Sequence, residues 1–201
     1  RDGWQAWDPR LENFARSMVP GTIRFPGGAS SSVYHWRTGS APQTFVDAYL
    51  PKSSKTQQLN DYRNNIGGKG FMKLRDTARL AAVSGARLII SVNPKVDSPE
   101  SIGAWVEKTI ARGYPVEAWQ LSSEAHKWAD DNWCDDDPCT AFWEGGDGYV
   151  DDMLPYYEAI ASAYEDAGLP VPDINMSSSD DGSSSRMRRF DGVVRDGHSY
   201  T

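Results

Sequence analysis

The chain has 201 residues, 39% of them hydrophobic, and a formal net charge of −7 at pH 7. That length supports one core but falls short of the roughly 250 residues of a complete (β/α)8 barrel. The acidic balance argues against nucleic acid as a partner, because phosphate-backbone binding relies on clustered Lys and Arg, and the longest apolar run, Leu88 to Val92, is too short to cross a membrane.

Asp8 can cap a first helix, Pro9 suits its first turn, and Leu11, Phe14, Ala15 and Met18 recur at three and four until Pro20-Gly21 stops it. Thr22 to Phe25 reads as a strand that ends at Pro26-Gly27-Gly28, where glycine lets the backbone approach a ligand closely. From Gly27 to Gly70 the composition of Ser, Gly, Pro and Asn reads as a long loop. Helical spacing resumes from Phe71 to Ser84 with Gly85 as its cap, and Arg87 to Val92 is the next strand.

Ser98-Pro99-Glu100 starts a helix whose buried stripe is Ile102, Trp105, Val106 and Ile110, ended by Gly113 and Pro115. Val116 to Ser123 alternates as a strand and hands on to Glu124, a carboxyl group placed just past a strand's C-terminal end. Tyr149 to Ala167 is helical, closed by Gly168 and Pro170. Asp173 to Met176 is a short strand leading into the serine tract Ser177 to Ser185, which reads as a loop. A last strand, Gly192 to Arg195, leads to His198 and Tyr200.

Five βα steps in one direction predict an α/β fold with a parallel sheet, of the (β/α)8 TIM-barrel type, as one partial barrel domain over residues 1–201. A doubly wound open sheet is disfavoured, since no Gly-x-Gly-x-x-Gly or Walker-type loop joins any strand to its helix. Functional groups then belong at the strand C-terminal ends, where Phe25, Asn93, Glu124, Ser177 and His198 fall.

Asn93 before Pro94 can hydrogen-bond a ligand or simply form a turn. Trp36, Trp128 and Trp133 can stack on the flat face of a ligand or pack structurally. Arg24, inside a strand, reads as pairing with a barrel carboxylate. His126 and His35 are further candidates for substrate contact, but Glu124 and His126 do not have metalloprotease spacing. The Asp130 to Asp137 stretch lacks the ligand pattern of a calcium loop and reads as a solvated acidic segment, so no metal is expected. Cys134 and Cys139, across Asp135-Asp136-Asp137-Pro138, are compatible with a disulfide and an oxidising compartment. The chain begins at Arg1, so its lack of a leader says nothing about secretion.

Arg24-Phe25-Pro26-Gly27-Gly28, Tyr34-His35-Trp36-Arg37-Thr38-Gly39 and the strand that ends in Glu124 after Trp119 resemble the retaining glycoside hydrolases of clan A. The likeness is to the α-L-arabinofuranosidase, β-glucuronidase and agarase-like branches. It implies that about strands two to six of the barrel are present: Thr22 to Phe25, Arg87 to Val92, Val116 to Ser123, Ile174 to Ser177 and Val193 to His198. It also implies that Glu124 is the general acid/base, that the nucleophile lies on a later strand outside this chain, and that His198 and Tyr200 line the sugar site. The family normally has Asn where this chain has Ser123, and that amide binds the sugar 2-hydroxyl. Gly27, Gly28, Trp36, Asn93, Ser123, His126, Trp128, His198 and Tyr200 are therefore the expected substrate-binding set.

The resulting expectation is a secreted or periplasmic glycosidase acting on a plant or algal polysaccharide. It would need no cofactor and no partner beyond its carbohydrate substrate and the rest of its own barrel. A catalytically silent carbohydrate-binding homologue is the alternative, and a metal-dependent barrel hydrolase or isomerase is a third reading.

Overall fold

The computed structural model describes residues 9–18, 20–27, 31, 34–39, 73–94, 96–122 and 145–176. Helix α1 (Pro9–Met18) precedes strand β1 (Thr22–Phe25). Helix α2 (Leu74–Ser84), strand β2 (Arg87–Val92), helix α3 (Pro99–Ala111) and strand β3 (Val116–Leu121) follow in turn, and helix α4 (Gly145–Asp166) leads to strand β4 (Asp173–Met176).

The four strands form one parallel sheet in the order β1-β2-β3-β4. Each strand therefore pairs with the next in the chain. A doubly wound sheet reverses its strand order at a switch point, whereas a barrel adds each strand beside the last.

Local chemistry explains where the elements start and stop. The Ser98 side chain accepts the Ser101 backbone N–H at 3.2 Å, and Pro99 occupies the first turn of α3, where its missing N–H costs nothing. Gly85 ends α2 at φ 72°, in the left-handed region that glycine enters without a Cβ clash. Helix α4 starts earlier than the sequence pattern places it, at Gly145, because the glycines among its first residues hide the apolar period.

The core lies between the sheet and helices α2, α3 and α4. Leu88, Ile90, Val92, Trp119 and Leu121 from the strands meet Ala78 and Ala81 of α2, Ile102, Trp105 and Val106 of α3, and Met153, Tyr157 and Ile160 of α4. A chain of aromatic rings binds these layers. Phe25 meets Tyr34 edge to face at 5.3 Å, Tyr34 lies 6.1 Å from Trp105, and Trp105 meets Trp119 edge to face at 5.6 Å. Trp119 Nε1–H then donates to Tyr164 Oη of α4 at 3.2 Å.

The apolar positions of α1 behave differently from those of α3. Only Ala15 is buried, while Phe14 and Met18 are 59% and 60% exposed. This helix precedes the first described strand, and among the described elements it packs chiefly against α2. Among the described residues, no helix is long and apolar enough to cross a membrane.

Candidate active site

The sheet's two faces differ in chemistry. Side chains alternate along a strand, so the residue on either side of helix-facing Trp119 points the other way. On that opposite face, Ser91 Oγ–H donates to Gln120 Oε1 at 3.0 Å, and Arg24 Nη1 approaches the same oxygen at 3.4 Å. Nearer the strand starts, Thr22 Oγ1–H donates to Glu117 Oε2 at 2.9 Å. Glu117 is the extra residue in the register shift between Leu88 and Ile89, which pair with Val116 and Ala118. Among the described residues, Arg24 thus meets the Gln120 amide oxygen. The interior positions of this barrel type are dominated by branched aliphatic side chains. Here Arg24, Ser91 and Gln120 make a polar floor beneath the strands' C-terminal ends.

The loops above that floor are tied together. After β2, the Asn93 carbonyl accepts the backbone N–H groups of Val96 and Asp97 at 3.3 and 3.1 Å. Asn93 itself is 3% exposed, so the described residues show its turn-forming role. Tyr156 Oη of α4 lies 2.9 Å from the Pro94 carbonyl and 2.7 Å from the Asp97 carbonyl, sharing its single proton between them. Burial and the nearby Asp97 charge push the Tyr156 phenol up to about 12, which keeps it a neutral donor. Tyr34, also buried beside Asp97, is raised as well.

The segment after β1 folds back onto α3. Trp36 stacks on Trp105 with ring centres 5.8 Å apart and planes within 1° of parallel, and its Nε1–H donates to Ser101 Oγ at 3.0 Å. The Arg37 guanidinium lies 4.3 Å from the centre of the Trp36 ring, and the Lys108 ammonium lies 5.2 Å from it. These contacts make Trp36 a packing residue of α3. His35 points its Nε2 at Asp97 Oδ1, 3.3 Å away, and its Nδ1 lies 3.1 Å from Thr38 Oγ1.

Strand β3 ends two residues earlier than its alternation indicates. Ser122 takes φ 66°, in the left-handed region, and this breaks the extended backbone just before Ser123 and Glu124. A non-glycine residue held there stores about 1–2 kcal/mol, and such strain concentrates at functional sites. Replacing Ser122 with Gly relieves it. The expected gain is about 0.5–1 kcal/mol after the entropy that glycine returns to the unfolded chain, read as an upward shift in Tm of about 1–4 °C. An unchanged or lower Tm would show that the Ser122 side chain compensates for its backbone.

Of the sequence-predicted residues, Trp36 and Asn93 stand at this rim with His35. Gly27 also stands there: among the described residues a Cβ on it would meet only the Arg24 carbonyl oxygen, at 3.9 Å. The Phe25-Pro26 bond before it is cis. Gly28, Ser123, Glu124, His126, Trp128, Trp133, His198 and Tyr200 lie outside the described residues, as do the Cys134 and Cys139 pair, the acidic stretch from Asp130 to Asp137 and the sixth strand. Among the described residues no cluster of His, Cys, Asp and Glu could hold a metal ion.

Comparison with solved structures brings two arabinofuranosidases to this fold. One is the α-L-arabinofuranosidase from Thermotoga maritima in its arabinose complex, matched with a TM-score of 0.57 at 16% identity over 90% of this chain and 37% of that one. The other is the thermostable GH51 α-L-arabinofuranosidase from Thermotoga petrophila RKU-1, with a TM-score of 0.53 at 16% identity over 89% of this chain and 36% of that one. The fold is of the (β/α)8 barrel type. At this identity the likeness speaks for the fold alone. The chain spans little more than a third of the length of these structures. No family model matches the chain, and no curated protein does.

Sequence reading missed Asp97, Ser91 and Gln120. A sequence signal for Asp97 did exist: Asp97, Ser101, Trp105 and Lys108 recur at four, four and three, the stripe of a helix face. That stripe is the one Trp36 and His35 cover.

Proposed function

We propose that this chain forms part of the catalytic barrel of a retaining glycoside hydrolase that cleaves a plant or algal polysaccharide, or its oligosaccharides, outside the cytoplasm. Glu124 is the general acid/base. It protonates the glycosidic oxygen in the first displacement and takes a proton from water in the second. The nucleophile, a second carboxylate about 5–5.5 Å away, comes from a later strand.

The observation that supports this reading best is the end of β3. The strand runs parallel to its neighbours within a sequential sheet, and Ser122 turns the chain sharply at the C-terminal rim two residues before Glu124. In barrels of this type the catalytic groups belong at that rim. The polar floor of Arg24, Ser91 and Gln120 fits a site for a hydroxyl-rich ligand better than a packed aliphatic interior.

The second reading, a silent carbohydrate-binding barrel, is favoured by Ser123. Where the resemblance has an Asn amide, serine is shorter and cannot reach a sugar 2-hydroxyl from the same backbone position without a bridging water. The two readings separate on a panel of aryl glycosides, pentofuranosides and hexuronides included, given to a form of the protein that carries all eight strands. Hydrolysis with retention of the anomeric configuration, followed by proton NMR, is the expected result. Binding without turnover across the panel selects the silent homologue, and inversion rules out the double displacement.

A further inference from the structure

Asp97 joins three successive βα units. Its Oδ1 faces His35 Nε2 at 3.3 Å and accepts from Ser101 Oγ at 2.9 Å, and its backbone carbonyl accepts from Tyr156. Those partners belong to the segment after β1, to the first turn of α3 and to α4. The Asp97 side chain is 1% exposed, and its Oδ2 is buried without a hydrogen bond. A carboxylate in that setting is costly unless a proton or a cation offsets its charge.

We propose that Asp97 is a positioning residue whose proton-dependent link to His35 clamps the segment after β1 onto the loop after β2 and the start of α3, tight in acid and looser as pH rises. Thr38 lets the ring serve in either charge state. Beside a neutral ring the Thr38 hydroxyl donates to Nδ1, and beside an imidazolium it accepts the Nδ1 proton and turns its own toward the His35 carbonyl, 3.5 Å away.

The groups around Asp97 set the sign. Burial is the largest influence and raises its pKa, against the opposing effects of the Ser101 hydroxyl, His35, the Trp36 backbone N–H and Arg37. From α4, Tyr156 remains a neutral phenol with Asp152 adding negative potential beside it, and Glu100 of α3 acts in the same sense. Tyr34, next to His35 in the chain, is likewise held neutral. The folded chain therefore keeps the Asp97 proton at pH values where the unfolded chain has released it. The stabilisation is complete below the ordinary carboxylate range and is lost as pH rises through the folded value.

The clamp rests on the glycosidase reading only for the use to which this rim is put, and its test does not need catalysis. Hydrogen exchange and thermal unfolding are followed from pH 4 to pH 8 for the parent chain, Asp97→Ala, His35→Gln and the double variant. In either single variant at acid pH, exchange at the Gly39 amide, bonded to the His35 carbonyl, and at the Val96 and Asp97 amides, bonded to the Asn93 carbonyl, rises together. The expected factor is about tenfold, with the β2 and β3 amides unchanged.

The double variant is no less stable than Asp97→Ala, and the Tm gap between the parent and Asp97→Ala narrows as pH rises. Faster exchange confined to the mutated loop, additive losses or a pH-independent gap would each overturn the clamp. Should Asp97→Ala fail to fold, His35→Gln at its more exposed site decides the matter by the same readouts. A working clamp in a protein that cleaves no glycoside would sink the glycosidase reading and leave the clamp standing.

Discussion

Glu124→Gln, made in a form of the protein that carries all eight strands, lowers turnover on substrates with poor leaving groups by about 10²–10⁴-fold, the usual contribution of a positioned general acid. Glutamine keeps the shape and hydrogen-bonding reach of the side chain but cannot give up a proton. Sugar affinity therefore stays within a few fold, and the loss falls on kcat. An aryl glycoside with an acidic phenol needs no proton to depart, so its first step survives and the glycosyl-enzyme accumulates. The second step then lacks its base, and a burst of phenol followed by slow turnover is the expected time course. Undiminished hydrolysis of the poor-leaving-group substrate would remove Glu124 from the mechanism and return the search to the other groups at the rim.

The largest loss of stability is expected at Trp119. The side chain is fully buried, contacts Trp105 edge to face, and places its indole N–H on Tyr164 Oη. Trp119→Ala removes the ring that joins β3 to both α3 and α4 and leaves the Tyr164 hydroxyl without its donor. The cost is about 3–5 kcal/mol, a large share of the 5–15 kcal/mol that holds a typical domain together. Trp119→Phe keeps most of the packing, loses the hydrogen bond and costs about 1–3 kcal/mol. Chemical denaturation midpoints at a common slope measure both. An alanine cost under about 1 kcal/mol would mean that the neighbouring rings close the gap and that the aromatic chain is not what fixes β3.

The fold was legible where the backbone punctuates itself. Ser98-Pro99 at the start of α3 and Gly85, Gly113 and Gly168 after the helices sit where the chain turns, the three glycines at φ 72°, 62° and 66°. Strands β1 and β2 match their alternation, and β3 stops at Leu121 because Ser122 takes a left-handed backbone that no periodicity reveals. The α1 stripe illustrates the limit of pattern reading, since Phe14 and Met18 have helical spacing and yet face solvent. Spacing says that a face exists, and only the neighbouring elements decide whether it is covered.

Phe25 and Asn93 fall at described strand ends as the sequence indicates, whereas the links between the loops were illegible. Asp97 lies beside a helix cap, where an acidic residue is unremarked, and His35 is far upstream in the chain. Trp36 drew notice as an aromatic near a glycine-rich turn, a description that fits a sugar platform and a packing residue equally. Its Ser101 and Trp105 contacts show how it packs against α3. Long-range pairs of this kind are fixed by how the βα units stack, which a single sequence does not print.

The anchoring of residues 34–39 on α3 has an evolutionary corollary. The segment that leaves β1 is pinned by Trp36 and His35, and the chain is pinned again where α2 begins at Leu74. Between two fixed posts, lengthening a connection costs little, about 0.6 kcal/mol for each doubling. An insertion or deletion between positions 39 and 73 is therefore expected to leave the contacts of both posts in place. Among related chains, length differences should concentrate in that interval of sequence, while the partners of Trp36, His35 and the start of α2 persist.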